Sequence, residues 1–166
     1  MRLFSMYLID SNIVIGTWNT YPPEIFRTLW TDFADLIPGG DLYFHKEVKK
    51  ELTAWSSEQS EWFTNNVPDD RVLEPTQSEV EKYIEVSQWA QLERTPKFKQ
   101  KAVDDFLNVA DSWLVACAMA HGATIVSDEK PAPQGTSKVK LPDAAAHFDV
   151  AYLDFLGFLR VKNLSF

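Results

Sequence analysis

The chain has 166 residues, 45% of them apolar, which is enough to bury a core of its own. Its net charge of −8 excludes a non-specific nucleic-acid binder, because phosphate contacts need Lys and Arg. A single cysteine, Cys117, excludes an internal disulfide and fits a reducing compartment.

The elements follow in chain order. Met6 is an alternative start, which makes residues 1–5 an N-terminal extension. "YLID" (7–10) reads as a first strand. "PPEIFRTLWTDFADLIPGG" reads as a helix opened by prolines and stopped by glycines, with Ile25, Phe26, Leu29, Trp30, Phe33, Leu36 and Ile37 at helical spacing. "DLYF" (41–44) is a second strand. "KEVKKELTAW" is a helix burying Val48, Leu52 and Trp55. Residues 56–100 read as a polar helical insertion within one domain spanning 1–166. Its clearest helix is 76–93, with Thr76 as N-cap and Glu79 as capping-box partner. "DSWLVACAMAHG" (111–122) is an apolar helix stopped by Gly122, and "ATIVSDEK" is a strand with an acidic tip. A loop rich in Pro, Gly and Lys follows. "VAYL" (150–153) is a last strand, and Asp154 caps a closing helix. Strands alternating with helices predict a three-layer α/β/α fold around a parallel sheet.

The acids fall where such a sheet forms its sites, at the carboxyl ends of the strands. Asp10 ends the first strand, and Asp128 and Glu129 end "TIVS". Glu47 and Glu51 lie on the helix after the second strand, and Asp111 opens the apolar helix. Converging carboxylates repel one another unless a cation neutralises them. Hard oxygen ligands suit Mg²⁺ or Mn²⁺, and no Cys/His cluster suggests zinc. Each acid has a blander explanation. Asp10 and Asp111 are also good N-caps, Glu47 and Glu51 are also ordinary solvated acids, and Asp128-Glu129 is also an ordinary turn. Between the two glutamates, Glu51 adjoins the buried stripe, whereas the helix dipole alone explains Glu47. His45, at a strand–helix junction, reads as structural, and Trp30, Trp55, Trp89 and Trp113 read as core rather than as base-stacking platforms.

"YLIDSNIVI" resembles the opening motif of PIN-domain nucleases, an apolar pair followed by Asp, Ser or Thr, Asn and an apolar residue. "EVKKEL" resembles their second acidic motif, and "ADSWLVACAMAHGATIVSDEK" their third and fourth. "TYPPEIFRTLW" and "KVKLPD" resemble the VapC-like toxin branch of toxin–antitoxin systems. The resemblance implies a PIN-like fold and a Mg²⁺- or Mn²⁺-dependent endoribonuclease. It implies an RNA substrate and a cognate antitoxin as partners, with a second copy of the chain as a further candidate. Asp10, Glu51 and Asp111 match the three main acids. The fourth is Glu129 by the pattern hydroxyl, any residue, acid, although the family often has Asp there. Asp128 is the neighbour that can replace it, so the implied metal set is Asp10, Glu51, Asp111, Asp128 and Glu129. Ser11, Asn12 and Ser127 are the implied orienting residues. Candidate phosphate contacts are Arg94, Lys97, Lys99 and Lys101, with Lys130, Lys138 and Lys140 on the loop.

Two other readings remain. A PIN-like scaffold would bind RNA or protein without cutting. A haloacid-dehalogenase-like phosphatase also carries an Asp at its first strand tip, but Asn12 stands where that class has its second acid. The composition and the N-terminus, which lacks the apolar core and cleavage site of a signal peptide, predict a cytoplasmic protein with no membrane segment.

Overall fold

The computed structural model describes residues 5–166, so residues 1–4 of the expected extension lie outside it. Five parallel strands form one sheet in the order β3-β2-β1-β4-β5, with helices on its faces. The central strand β1 (Tyr7–Ile9) is buried along its whole length. This is the continuous apolar run expected of a parallel strand covered on both sides. It pairs with β2 (Leu42–His45) through Tyr7↔Leu42 and with β4 (Thr124–Val126) through Ile9↔Val126. The edges are β3 (Val72–Leu73), beside β2, and β5 (Tyr152–Leu153), beside β4. Successive strands step one way from β1 through β2 to β3, and the other way from β4 to β5. The reversal falls between β1 and β4, the crevice where open α/β sheets bind ligands.

Several elements depart from the sequence expectation. Helix α1 (Ser11–Thr20) starts immediately after Asp10, although Ile13, Val14 and Ile15 are β-branched and Gly16 is a poor helix former. Burial of Ile13, Val14 and Thr17 overrides that local preference. Helix α2 (Arg27–Gly39) begins well after the prolines, leaving Ile25 and Phe26 exposed. Helix α3 (Lys46–Thr53) buries Val48 and Leu52, but it ends before Trp55, whose ring is 82% exposed rather than core. Ser57 caps α4 (Glu58–Asn66), and β3 lies between Pro68 and Pro75, two of the prolines that break the polar helical stretch. Helix α5 (Gln77–Gln88) is capped by Thr76 and runs on into a π-turn over Trp89–Glu93. Helices α6 (Gln100–Leu107) and α8 (Leu141–His147) add to the elements that the sequence pattern predicts. Helix α7 (Ala110–His121) ends at Gly122 in the left-handed region (φ 66°), where glycine escapes the Cβ penalty. Asp154 caps α9 (Phe155–Val161), accepting from Gly157 N at 2.7 Å.

A buried polar cluster ties α3, α5 and α7 together. Glu79 does not close a capping box on Thr76. Its side chain turns inward, and Oε2 lies 3.0 Å from His45 Nε2 with both residues fully buried. The second ring nitrogen, Nδ1, accepts from Glu47 N at 3.1 Å and so caps α3. An accepting Nδ1 places the ring proton on Nε2, where it donates to Glu79. Trp113 of α7 stacks on the same ring, and Tyr83 of α5 stacks on Trp113. His45 is structural, as expected. Glu79→Ala leaves a buried Nε2–H without an acceptor, a loss of about 2–4 kcal/mol. Urea denaturation measures it, and a change below about 0.5 kcal/mol, the usual size for an unimportant surface site, would show that the pair holds nothing.

Candidate active site

Asp10 follows β1 directly, and its backbone N–H still donates to Val126 O of the neighbouring strand at 3.0 Å. It stands at the N-cap position of α1, but its side chain makes no cap hydrogen bond. The carboxylate points into the crevice instead, and the residue is only 4% exposed. Ser127, which continues β4, donates from Oγ to Asp10 Oδ2 at 2.8 Å. Asn12 Nδ2 donates to that Oγ at 3.0 Å, and Asn12 Oδ1 accepts from Asp128 N at 3.3 Å. Asn12 thereby locks the tips of β1 and β4 together.

Glu51 reaches the same crevice from α3. Its Oε2 accepts from Ser11 Oγ at 2.7 Å, and its Oε1 accepts from Ala110 N, the first residue of α7, at 3.0 Å. Glu47 takes no part and pairs with Lys50 at 2.7 Å. Asp111 lies in the first turn of α7, one residue beyond the N–H that Glu51 caps. Val109 holds the N-cap position there, so Asp111 is not the cap.

The two acids after β4 go different ways. Glu129 turns toward the other three. Its Oε2 accepts from Leu141 N of α8 at 2.8 Å, and its Oε1 lies 2.9 Å from Lys138 Nζ and 3.6 Å from Lys140 Nζ. Asp128 turns toward α9 and accepts from Phe155 N at 2.9 Å. It lines a cavity of about 440 Å³ with Asn12, Thr17, Tyr21 and Lys130 on the flank of the cluster. The structure thus brings Asp10, Glu51, Asp111 and Glu129 together and leaves Asp128 beside them.

Electrostatics agrees with this grouping. Burial pushes the pKa of Asp10 from 3.8 up to about 6, with Glu51 and Glu129 adding to the rise and the Ser127 hydrogen bond opposing it. Asp111 is pushed up to about 8, first by burial and then by Asp10, Glu129 and Glu51, against Lys138. Negative charge at this edge exceeds the positive charge the chain supplies. Buried, mutually repelling carboxylate oxygens are the donor set a hard divalent cation stabilises.

Of the basic residues singled out in the sequence, Arg94 is committed elsewhere. It bonds to the carbonyls of Pro96 and Pro133 and lies over the Phe98 ring. Lys101 pairs with Asp105 along α6. Lys97, Lys99 and Lys130 are exposed, and Lys138 and Lys140 serve Glu129.

The sequence shows no Cys/His cluster, yet the fold makes one. Donor atoms of His45, Glu79 and Cys117, all fully buried, lie within 4.8 Å of one another. Among the described residues Glu79 Oε1 has no hydrogen-bond partner, and burial followed by the nearby Glu79 pushes the Cys117 thiol up. The geometry of His45 argues against a resident ion. A ligating imidazole donates its other N–H outward, whereas His45 Nδ1 accepts from a backbone N–H.

The architecture is the PIN-like three-layer α/β/α fold. Its likeness extends to the crystal structure of VapBC2 from Rickettsia felis bound to a DNA fragment from their promoter, with a TM-score of 0.52. That match is 14% identical and covers 90% of this chain and 98% of that one, a likeness of fold. The family described as a domain of unknown function (DUF4411) matches residues 7–166, and the chain belongs to it. No curated protein matches the chain in sequence. Among the described residues, no helix is long and apolar enough to cross a membrane.

The raised values of Asp10 and Asp111 fix a pH dependence for the metal-free protein. Above the ordinary value of 3.8 and below about 8, the folded chain holds protons that the unfolded chain has released. Stability therefore falls as pH rises through that window. Asp111→Asn removes the larger contribution. In EDTA at pH 8 the variant is expected to be more stable than the wild type by at least about 1.4 kcal/mol, the equivalent of one pKa unit. The gain should vanish near pH 4. A variant less stable at pH 8 would mean that the acids do not repel.

Proposed function

We propose that this chain is a divalent-metal-dependent endoribonuclease, the toxin of a toxin–antitoxin pair. The observation that carries the reading is the convergence of Asp10, Glu51, Asp111 and Glu129 at the β1–β4 crevice, with Asp10 and Asp111 held far above the ordinary carboxylate range. Such a site stores unfavourable charge that a cation relieves. Asp10 and Asp111 are the principal ligands in this reading, because neither carboxylate is used to cap a helix. Mg²⁺ or Mn²⁺ held there by Asp10 and Asp111 would supply Lewis acidity, activating water and offsetting charge on the phosphate oxygens. The residues around it have distinct tasks. Ser127 fixes one oxygen of Asp10 and is itself fixed by Asn12, while Ser11 aims Glu51. This pre-organisation keeps the acids from relaxing apart before substrate arrives. No side-chain nucleophile is required.

RNA reaches the crevice in this reading past Lys130, which lines the cavity beside Asn12 and Asp128. Lys97 and Lys99 are exposed in the segment leading into α6. The antitoxin partner is inferred from the sequence motifs and from the fold shared with the VapBC2 structure. Action in the cytoplasm fits the lone, buried thiol of Cys117. The phosphatase reading loses ground at Asn12, whose amide is spent bridging Ser127 and Asp128 and offers no general acid.

Cleavage of RNA by purified protein, with and without Mn²⁺, tests the reading directly. Asp10→Asn is expected to lower the rate by at least about 10² while the fold persists. Glu51→Gln should remove most activity and Glu47→Gln little, because only Glu51 reaches the crevice. Equal activity of the Asp10 variant would sink the metal-site reading, and the reverse ranking of the glutamates would place the wrong turn of α3 at the site. In cells, induced expression should arrest growth, and Asp111→Ala should relieve the arrest. Wild-type protein that neither arrests growth nor cuts RNA would favour the non-cutting scaffold.

A further inference from the structure

Glu129 differs from the other three acids because lysine ammonium groups answer its charge. Leu141 N holds Oε2, and two ammonium groups approach Oε1. The two lysines are not equivalent. Lys140 stands at the N-cap position of α8, and its nitrogen lies 3.6 Å away. Lys138 lies on the loop before it at 2.9 Å and lines a cavity of about 290 Å³ together with Asp111 and Ser137. Its charge acts on Asp111 and Asp10 as well as on Glu129. The side chain is 63% exposed, so only part of the ammonium is spent on Glu129. Of its three N–H donors, two remain for a ligand entering from solvent.

A divalent ion bound to Glu129 would sit close to this ammonium, whether it shared Oε1 with the lysine or took Oε2 beside Leu141 N. Like charge at that distance disfavours a metal on the Glu129 side of the crevice and leaves the Asp10–Asp111 side open. Resting on the nuclease reading, we propose that Lys138 contacts the scissile phosphate and supplies the positive charge that a second metal supplies in two-metal nucleases, so that the site takes one divalent ion and one ammonium. In the hydrolysis, a water oxygen forms the new bond to phosphorus as the bond to the leaving oxygen breaks. One hydrogen of that water ends on the leaving oxygen and the hydroxyl stays on phosphorus. Lys138 keeps its proton throughout and acts by charge and by hydrogen bonding to a non-bridging oxygen.

The test measures Mn²⁺ binding by calorimetry on the RNA-free protein, alongside cleavage of a mixed-sequence single-stranded RNA at saturating Mn²⁺. Wild type should bind one Mn²⁺ per chain. Lys138→Met should bind Mn²⁺ about tenfold more tightly, because a neighbouring positive charge is gone and Glu129 is freed. It should also cleave with kcat lower by about 10² and KM little changed. Lys82→Met, which removes a remote surface lysine, should match wild type in both. Opposite signs in metal affinity and rate are the signature, since a merely structural lysine would lower both or neither. Two Mn²⁺ per wild-type chain, unchanged or weaker binding by Lys138→Met, or tighter binding with undiminished cleavage each overturns the proposal. Wild type that binds no Mn²⁺ and cuts no RNA overturns the nuclease reading itself, and this inference with it.

Discussion

A carboxylate carried to the tip of a fully buried strand needs something to answer its charge. Asp10 is answered mainly by one hydroxyl, Ser127 Oγ at 2.8 Å, and that hydroxyl is there because β4 runs parallel to β1 in the register Ile9↔Val126. One residue of slip would send the Ser127 side chain to the opposite face and leave Asp10 only the long contact from its neighbour Ser11 at 3.5 Å. Asn12 guards against that slip by bonding both Ser127 Oγ and Asp128 N across the crevice. The site is therefore a property of the pairing of two strands, and the remaining acids are delivered to it by helices.

Those helices explain why the acids differ. Glu51, Asp128 and Glu129 each accept from the first backbone N–H of a helix that is not their own: α7, α9 and α8 respectively. An anion at a helix N-terminus satisfies an orphan donor and meets the positive end of the dipole, worth about 0.5–2 kcal/mol as a cap. Asp10 and Asp111 have no such bond, and the fold opposes the ionisation of each. Charge that serves the fold and charge held against it stand side by side within one crevice.

How much of this was legible in the sequence varied with the physics. Strands β1 and β4 were readable because a buried parallel strand is a continuous apolar run, and the acid after each marks the carboxyl edge. Thr76, Gly122 and Asp154 were readable because their signals are local. Helix α1 was not, because its β-branched residues favour strand and only tertiary burial makes it helical. Trp55 looked like core by spacing, but α3 stops at Thr53 and the ring swings out. Glu79 matched a local capping pattern, yet a buried histidine 34 residues away claims it. His45, Glu79 and Cys117 are scattered along the chain, and only the stacking of α5 on α7 beside β2 unites them. Of the acids at the β4 tip, periodicity could not say which turns inward. The separate helices α8 and α9 decide it by drawing Glu129 and Asp128 in different directions.

The shared helix ends have a meaning for descent as well as for chemistry. A lineage released from selection for activity tends to lose first those residues whose loss leaves the fold intact or improves it. Here Asp10 and Asp111 are such residues, since neutralising either relieves repulsion. Glu51 and Glu129 are retained for a second reason, because each also terminates a helix. A descendant freed from any need for the full cluster would then keep its two glutamates while its two aspartates drift, leaving half of the acidic quartet in place.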